Sequence, residues 1–106
     1  MIRIAVHDIW YLEAVGHQCM INTKKNVFEV KESLGEMETN REFGEDLFTK
    51  CHRSYLINLK HVSKIEKESV VMDDGRKIPI SRNSYKKVVQ SFIGFYRRKD
   101  CIVNEI

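Results

Sequence analysis

The segment Leu47-Phe48-Thr49-Lys50-Cys51-His52-Arg53-Ser54-Tyr55-Leu56-Ile57-Asn58-Leu59 is apolar at both ends and basic at its centre. Apolar side chains are driven into a core, and charged ones stay in water. Tyr55, Leu56 and Ile57 therefore read as an anchor that pins the basic run 50–54 and aims it outward.

The sequence upstream is strand-like. Ile2, Ile4 and Val6 alternate with Arg3 and Ala5, the period of a half-buried strand. Trp10-Tyr11-Leu12-Glu13-Ala14 is a second β-prone run and Cys19-Met20-Ile21-Asn22-Thr23 a returning one. Gly16 between them places a hairpin tip at residues 15–18. After the turn Lys24-Lys25-Asn26, the run Val27-Phe28-Glu29-Val30-Lys31 makes a fourth strand. Ser33-Leu34-Gly35-Glu36 has the capping-box layout, and Leu34, Met37 and Arg41 share one stripe. Together they predict a short helix, ended by Gly44.

Downstream, residues 62–68 and 70–73 read as two strands, and Asp73-Asp74-Gly75 as a tight turn. The strand Lys77-Ile78-Pro79-Ile80-Ser81 contains a proline that offers no ladder donor, so it belongs at a sheet edge. Tyr85, Val88, Val89, Phe92 and Tyr96 fall on one helical stripe, with Asn83 or Ser84 as the N-cap. Arg97-Arg98-Lys99 sits where the helix dipole favours positive charge. The fold class expected is mostly β with short helices, a β-rich α+β chain ending in an amphipathic helix.

Size and composition narrow the function. The chain has 106 residues, 42% of them hydrophobic and 31% charged, and its 106 positions fit one domain rather than two. No apolar run reaches the roughly 18 residues that span a bilayer, and the first residues lack a signal-peptide layout. Cys19, Cys51 and Cys101 are sparse and odd in number, which suits a reducing cytoplasm rather than a disulfide framework. No Cys or His pair has zinc-finger spacing, so no metal and no cofactor are expected. Charge is uneven: residues 1–50 hold six Lys/Arg against nine Asp/Glu, and residues 51–106 hold twelve against six. A second half at net +6 points to a polyanionic partner, or to a solvated basic surface.

Four blocks, in order, resemble the LytTR DNA-binding domain family. Asp8-Ile9-Trp10-Tyr11-Leu12-Glu13-Ala14 is similar to its "D-I-x-Y-I-E-A" opening, and Ser33-Leu34 with Glu36 to its "S-L-x-E-L-E" helix. Residues 48–58 resemble its "F-x-R-x-H-R-S-Y-L-V-N" signature, and residues 74–82 its "D-G-x-x-I-P-I-S-R" hairpin end. Lys50 stands where the family usually has arginine. The resemblance implies an elongated arrangement of small antiparallel sheets that reads double-stranded promoter DNA, at repeated sites, through loops. It also implies an output domain of a response regulator, with a receiver domain before it and a sensor histidine kinase upstream. The start of this chain in an early strand fits an excised output domain or a stand-alone member, and residues 1–106 are expected to form that one domain. No membrane and no small-molecule substrate are expected.

On that resemblance Arg82, Arg53, His17 and Gln18 are candidates to contact bases. A guanidinium matches guanine O6 and N7 bidentately, and His and Gln present hydrogen-bonding groups to base edges. Lys50, Ser54, Ser81, Asn83, Lys86 and Lys87 are candidates for the DNA backbone, with Ser81 and Asn83 equally readable as helix caps. His52 reads better as a hydrogen-bonding strut than as a reader, and Cys51 as a structural thiol, although Lys50, His52 and Arg53 could favour its thiolate.

Two other classes compete. An enzyme built on Cys51 and His52 is disfavoured, because strand alternation would point adjacent side chains to opposite faces. A non-catalytic protein- or RNA-binding module lacks the aromatic and basic pattern of an RNA-reading sheet.

Overall fold

The computed structural model describes residues 2–39 and 47–98. Tyr11–Val15 (β1) and Gln18–Asn22 (β2) pair antiparallel from Tyr11↔Asn22 to Val15↔Gln18, leaving Gly16 and His17 as a two-residue turn. Gly16 takes φ 62°, a left-handed conformation that suits glycine at the head of a hairpin turn. Val27–Val30 (β3) returns along β2. Phe48–His52 (β4) and Tyr55–Asn58 (β5) form a second hairpin, and β5 lies antiparallel to β1. The result is a five-stranded sheet in the order β3-β2-β1-β5-β4.

Val62–Ile65 (β6), Ser69–Met72 (β7) and Lys77–Pro79 (β8) make a separate three-stranded meander. Pro79 lies on its outer strand, opposite Ser69, where a missing N–H costs no central ladder bond. At the β7–β8 turn the Asp74 carboxylate accepts from the Arg76 backbone N–H at 3.0 Å and from its guanidinium at 2.7 Å. The whole measures 42 × 27 × 25 Å, an elongated body.

The five-stranded sheet is covered on both faces, and strand parity assigns each residue its side. Leu12, Ile21 and Leu56 face the short helix Leu34–Glu38 (α1), whose Leu34 and Met37 are buried against them. Ile57 and Cys51 face the meander and the helix Tyr85–Arg98 (α2), through Val70, Ile78, Val88 and Phe95. The capping box forms as the sequence implies: Ser33 Oγ accepts from the Glu36 N–H, and the Glu36 carboxylate accepts from the Ser33 N–H. The positions of Arg41 and Gly44, assigned to the end of that helix, lie outside the described residues. The Tyr96 hydroxyl donates to the Leu59 carbonyl at 2.7 Å and pins α2 across the β5–β6 connection.

Three local expectations are corrected. Residues 2–6 form no strand; an irregular segment leads into a 3-10 turn at Val6–Asp8. Both edges of β1 are already taken by β2 and β5, so the alternating run cannot pair beside the strand it leads into. Ile4 and Val6 pack on the α1-side core instead, while Ile2 is 64% exposed. Neither Asn83 nor Ser84 caps α2, because a 3-10 turn at Arg82–Ser84 runs directly into the helix. Tyr85, placed on the apolar stripe, is exposed at the helix's first residue, and Phe95 takes a core position that the stripe left out.

Candidate nucleic-acid interface

Three connections meet at one end of the five-stranded sheet. The β1–β2 turn carries His17 beside Gln18, both exposed. The β4–β5 turn is the pair Arg53-Ser54, since His52 pairs with Tyr55. Because β5 runs antiparallel to β1, its first residue lies beside the last residues of β1, and the Ala14 N–H donates to the Ser54 carbonyl at 2.8 Å. These two turns are therefore neighbours by sheet topology.

The third connection is brought in by an irregularity. The β4–β5 register shifts between Lys50 and His52, so Cys51 lies opposite no residue of β5. Such a bulge frees backbone groups from the ladder. The Cys51 carbonyl accepts from the Ser81 N–H at 2.8 Å, and its thiol donates to the Pro79 carbonyl at 3.4 Å. Both bonds hold the end of β8 against the end of β4, and Arg82 follows immediately, exposed on its 3-10 turn.

Each candidate side chain has a definite setting. Arg53, Arg82, Lys86 and Lys87 are exposed and make no ion pair among the described residues. Lys64 and Lys77, by contrast, share Glu66, and Arg76 holds Asp74. Ser54 Oγ makes no hydrogen bond among the described residues, while the Ser54 N–H donates to His52 Nδ1 at 3.1 Å. His52 is thus a strut: its ring holds the Arg53-Ser54 turn and meets Tyr55 edge-on at 5.7 Å. Ser81 Oγ donates to Ser84 Oγ at 2.7 Å, and Asn83 is exposed. Lys50 is set apart from this group. It pairs across to Leu56 on the α1 face, where its ammonium lies 3.7 Å from the Glu38 carboxylate.

The bulge also revises the argument against a Cys51–His52 chemistry, because strict alternation fails there. What separates the two side chains is commitment: His52 Nδ1 is taken by Ser54, and Cys51 is fully buried with its thiol on Pro79. Burial pushes the Cys51 thiol up to about 12, so the basic neighbours do not yield a thiolate. Among the described residues no group of His, Cys, Asp and Glu side chains is arranged to hold a metal.

Sequence reading missed two features. Tyr55 donates to Glu13 at 3.0 Å across the β1–β5 pair, and burial followed by that carboxylate raises the phenol's pKa. The residue pair was visible; its register was not. Arg76 lies 5.1 Å from the Trp10 ring centroid and donates to the Thr23 carbonyl at 3.2 Å, joining the meander to the large sheet. At that far end a concavity of about 540 Å³ opens beside Arg3, Lys24 and Asn26. His61 stacks on Trp10 at 4.7 Å there, so the ring surface is already covered by the protein's own groups.

No helix among the described residues is long and apolar enough to cross a membrane. Comparison with known proteins agrees with this geometry. The chain is 23% identical over 93 residues to the sensory transduction protein LytT of Bacillus anthracis, covering 83% of this chain and 37% of the relative. It is 27% identical over 96 residues to the LytT of Enterococcus faecalis, covering 86% and 38%. It therefore spans well under half the length of these relatives. A solved LytTr DNA-binding domain, from a protein described as a methyl-accepting/DNA response regulator of Bacillus cereus, superposes with a TM-score of 0.74 at 29% identity, over 89% of this chain and 88% of that one. Residues 1–93 match the LytTr DNA-binding domain family, and the chain belongs to that family.

Proposed function

We propose that this DNA-binding domain reads the major groove of duplex DNA with the three connections at one end of its large sheet, as the output module of a two-component transcription regulator in the cytoplasm. One observation carries the reading: turns distant in sequence, at His17, Arg53 and Arg82, are tied side by side, and among the described residues the two arginines make no ion pair. A folded chain that leaves guanidinium groups unpaired at one place presents a ready complement to an anion.

In this reading Arg82 and Arg53 engage guanine edges, and His17 and Gln18 engage the neighbouring bases. Lys86, Lys87, Asn83, Ser81 and Ser54 hold phosphates, which fixes the register without reading sequence. Lys50 contributes to the backbone only by exchanging Glu38 for a phosphate. No chemical step and no cofactor are needed, because binding alone performs the task. The length of the relatives beyond this domain is where a receiver, and through it a histidine kinase, would act.

The test is selection from a randomised duplex library, followed by titration of the enriched duplex at several salt concentrations. A defined sequence should emerge, and log affinity should fall with log salt by about 0.9 for each phosphate neutralised. Failure to enrich any sequence, or equal binding to single-stranded RNA, would remove the proposal.

A further inference from the structure

Among the described residues four large apolar side chains are exposed, and Val15, at 51%, stands at the loop end of the large sheet. A single exposed valine is ordinary on a protein surface. This one has a specific setting. Val15 is the last residue of β1 and pairs directly with Gln18, the first residue of β2, across the Gly16-His17 turn. Directly opposed residues on an antiparallel pair share a face, with Cβ atoms about 5 Å apart. Strand alternation from Glu13, which pairs with Tyr55, puts Val15 on the face that carries Tyr55 and His52. A methyl-bearing group and a carboxamide therefore project together beside the Arg53 turn, and the Ala14–Ser54 bond holds that arrangement.

This pairing has a natural complement. In the major groove an A·T pair presents adenine N7 and N6–H₂, then thymine O4 and the thymine 5-methyl group. A carboxamide satisfies the adenine N6/N7 pair bidentately, and an aliphatic side chain packs on the methyl. We propose that Val15 and Gln18 together read one A·T base pair, Gln18 on the adenine and Val15 on the thymine methyl. The inference rests on the proposed major-groove reading and adds to it a base identity and an apolar reader, Val15. Burying a methyl against Val15 takes apolar surface out of water on both partners, a gain that a uracil lacks.

The experiment uses the duplex enriched from the randomised library. Each thymine is replaced in turn by deoxyuridine, and each adenine by 7-deazaadenine. The wild-type chain should lose about threefold to tenfold in affinity at one uridine position. It should also lose affinity when the adenine of that same base pair lacks N7. Val15→Ala should bind the thymine and uridine duplexes equally, and Gln18→Ala should become insensitive to the 7-deaza change. Both positions are exposed at a turn, so neither variant is expected to unfold the chain. Wild-type indifference to every uridine, or a Val15→Ala chain still sensitive to the methyl, overturns the inference and leaves DNA binding intact. Sensitivities falling in two different base pairs also overturn it. A library that enriches nothing removes the major-groove reading itself, and this inference with it.

Discussion

The Ser81 N–H donates to the carbonyl of Cys51 at 2.8 Å, and this bond ties the loop that presents Arg82 to the hairpin whose turn presents Arg53. The acceptor is free because the β4–β5 register shifts around Cys51. An irregularity in one hairpin thus receives the end of another sheet. Residues 29 positions apart are placed at one surface by backbone contacts, which no side-chain substitution at either arginine would disturb.

That separation of scaffold from proposed reader sets the first expectation. Arg82→Ala should cost about 1–3 kcal/mol on the enriched duplex and relax preference at one base position. Arg82→Lys keeps the charge but loses the planar fork, so most of that loss should remain. Lys87→Ala should weaken enriched and scrambled duplexes alike, because a phosphate contact carries no base information. Competition binding on both duplexes distinguishes the roles; equal losses for Arg82→Ala on both would make Arg82 a backbone contact.

The thiols of Cys19 and Cys51 should be inert in the folded chain. Cys19 and Cys51 are fully buried, and burial is the leading cause that pushes their thiols up to about 11 and about 12. Thiolate is the nucleophile, so neither should react with iodoacetamide at mildly alkaline pH until denaturant opens the structure. Peptide mapping of the alkylated protein checks this, and rapid native labelling of Cys51 would contradict its placement.

Asp74 should make stability pH-dependent at the acid end. Burial works to raise its pKa, but the Arg76 backbone N–H and guanidinium together outweigh it, and the result lies below the ordinary 3.8. A carboxyl whose folded pKa is depressed contributes stability above its unfolded pKa and loses it as pH falls through the folded value. Asp74→Asn should therefore cost about 0.5–1 kcal/mol near neutral pH, a modest figure for a partly exposed ion pair. The gap should close below the depressed pKa. Urea unfolding of both chains across that range reads it directly; a gap that persists at the lowest pH would assign the loss to turn geometry instead.

Gly16 should resist substitution for backbone reasons alone. A Cβ built there meets nothing within 4 Å, yet φ is 62°. Gly16→Ala should cost about 1 kcal/mol through left-handed strain, and Gly16→Asn less, since asparagine tolerates that region. Equal thermal midpoints for Gly16→Ala and wild type would show that the turn adopts another conformation at no cost.

Local patterns that carry their own physics were legible in the chain. The Ser33–Glu36 capping box closes within four residues, the Gly16 and Gly75 turns need only a positive φ, and a proline-bearing strand belongs at an edge. The family blocks led to the right fold and to DNA binding, because a fold-defining motif survives as a set of residue types. What the sequence could not decide depends on partners far along the chain. The run at residues 2–6 has a strand's period, but only the pairing of β1 with both β2 and β5 shows that no edge of β1 is left for it. Tyr85 has the phase of a core residue, but stands exposed at the first residue of α2. Lys50 sits in the same basic run as Arg53, yet cross-strand parity turns it toward Glu38 and α1. The convergence of His17, Arg53 and Arg82 arises from antiparallel register and one bulge, and register is a relation between strands that neither strand encodes alone.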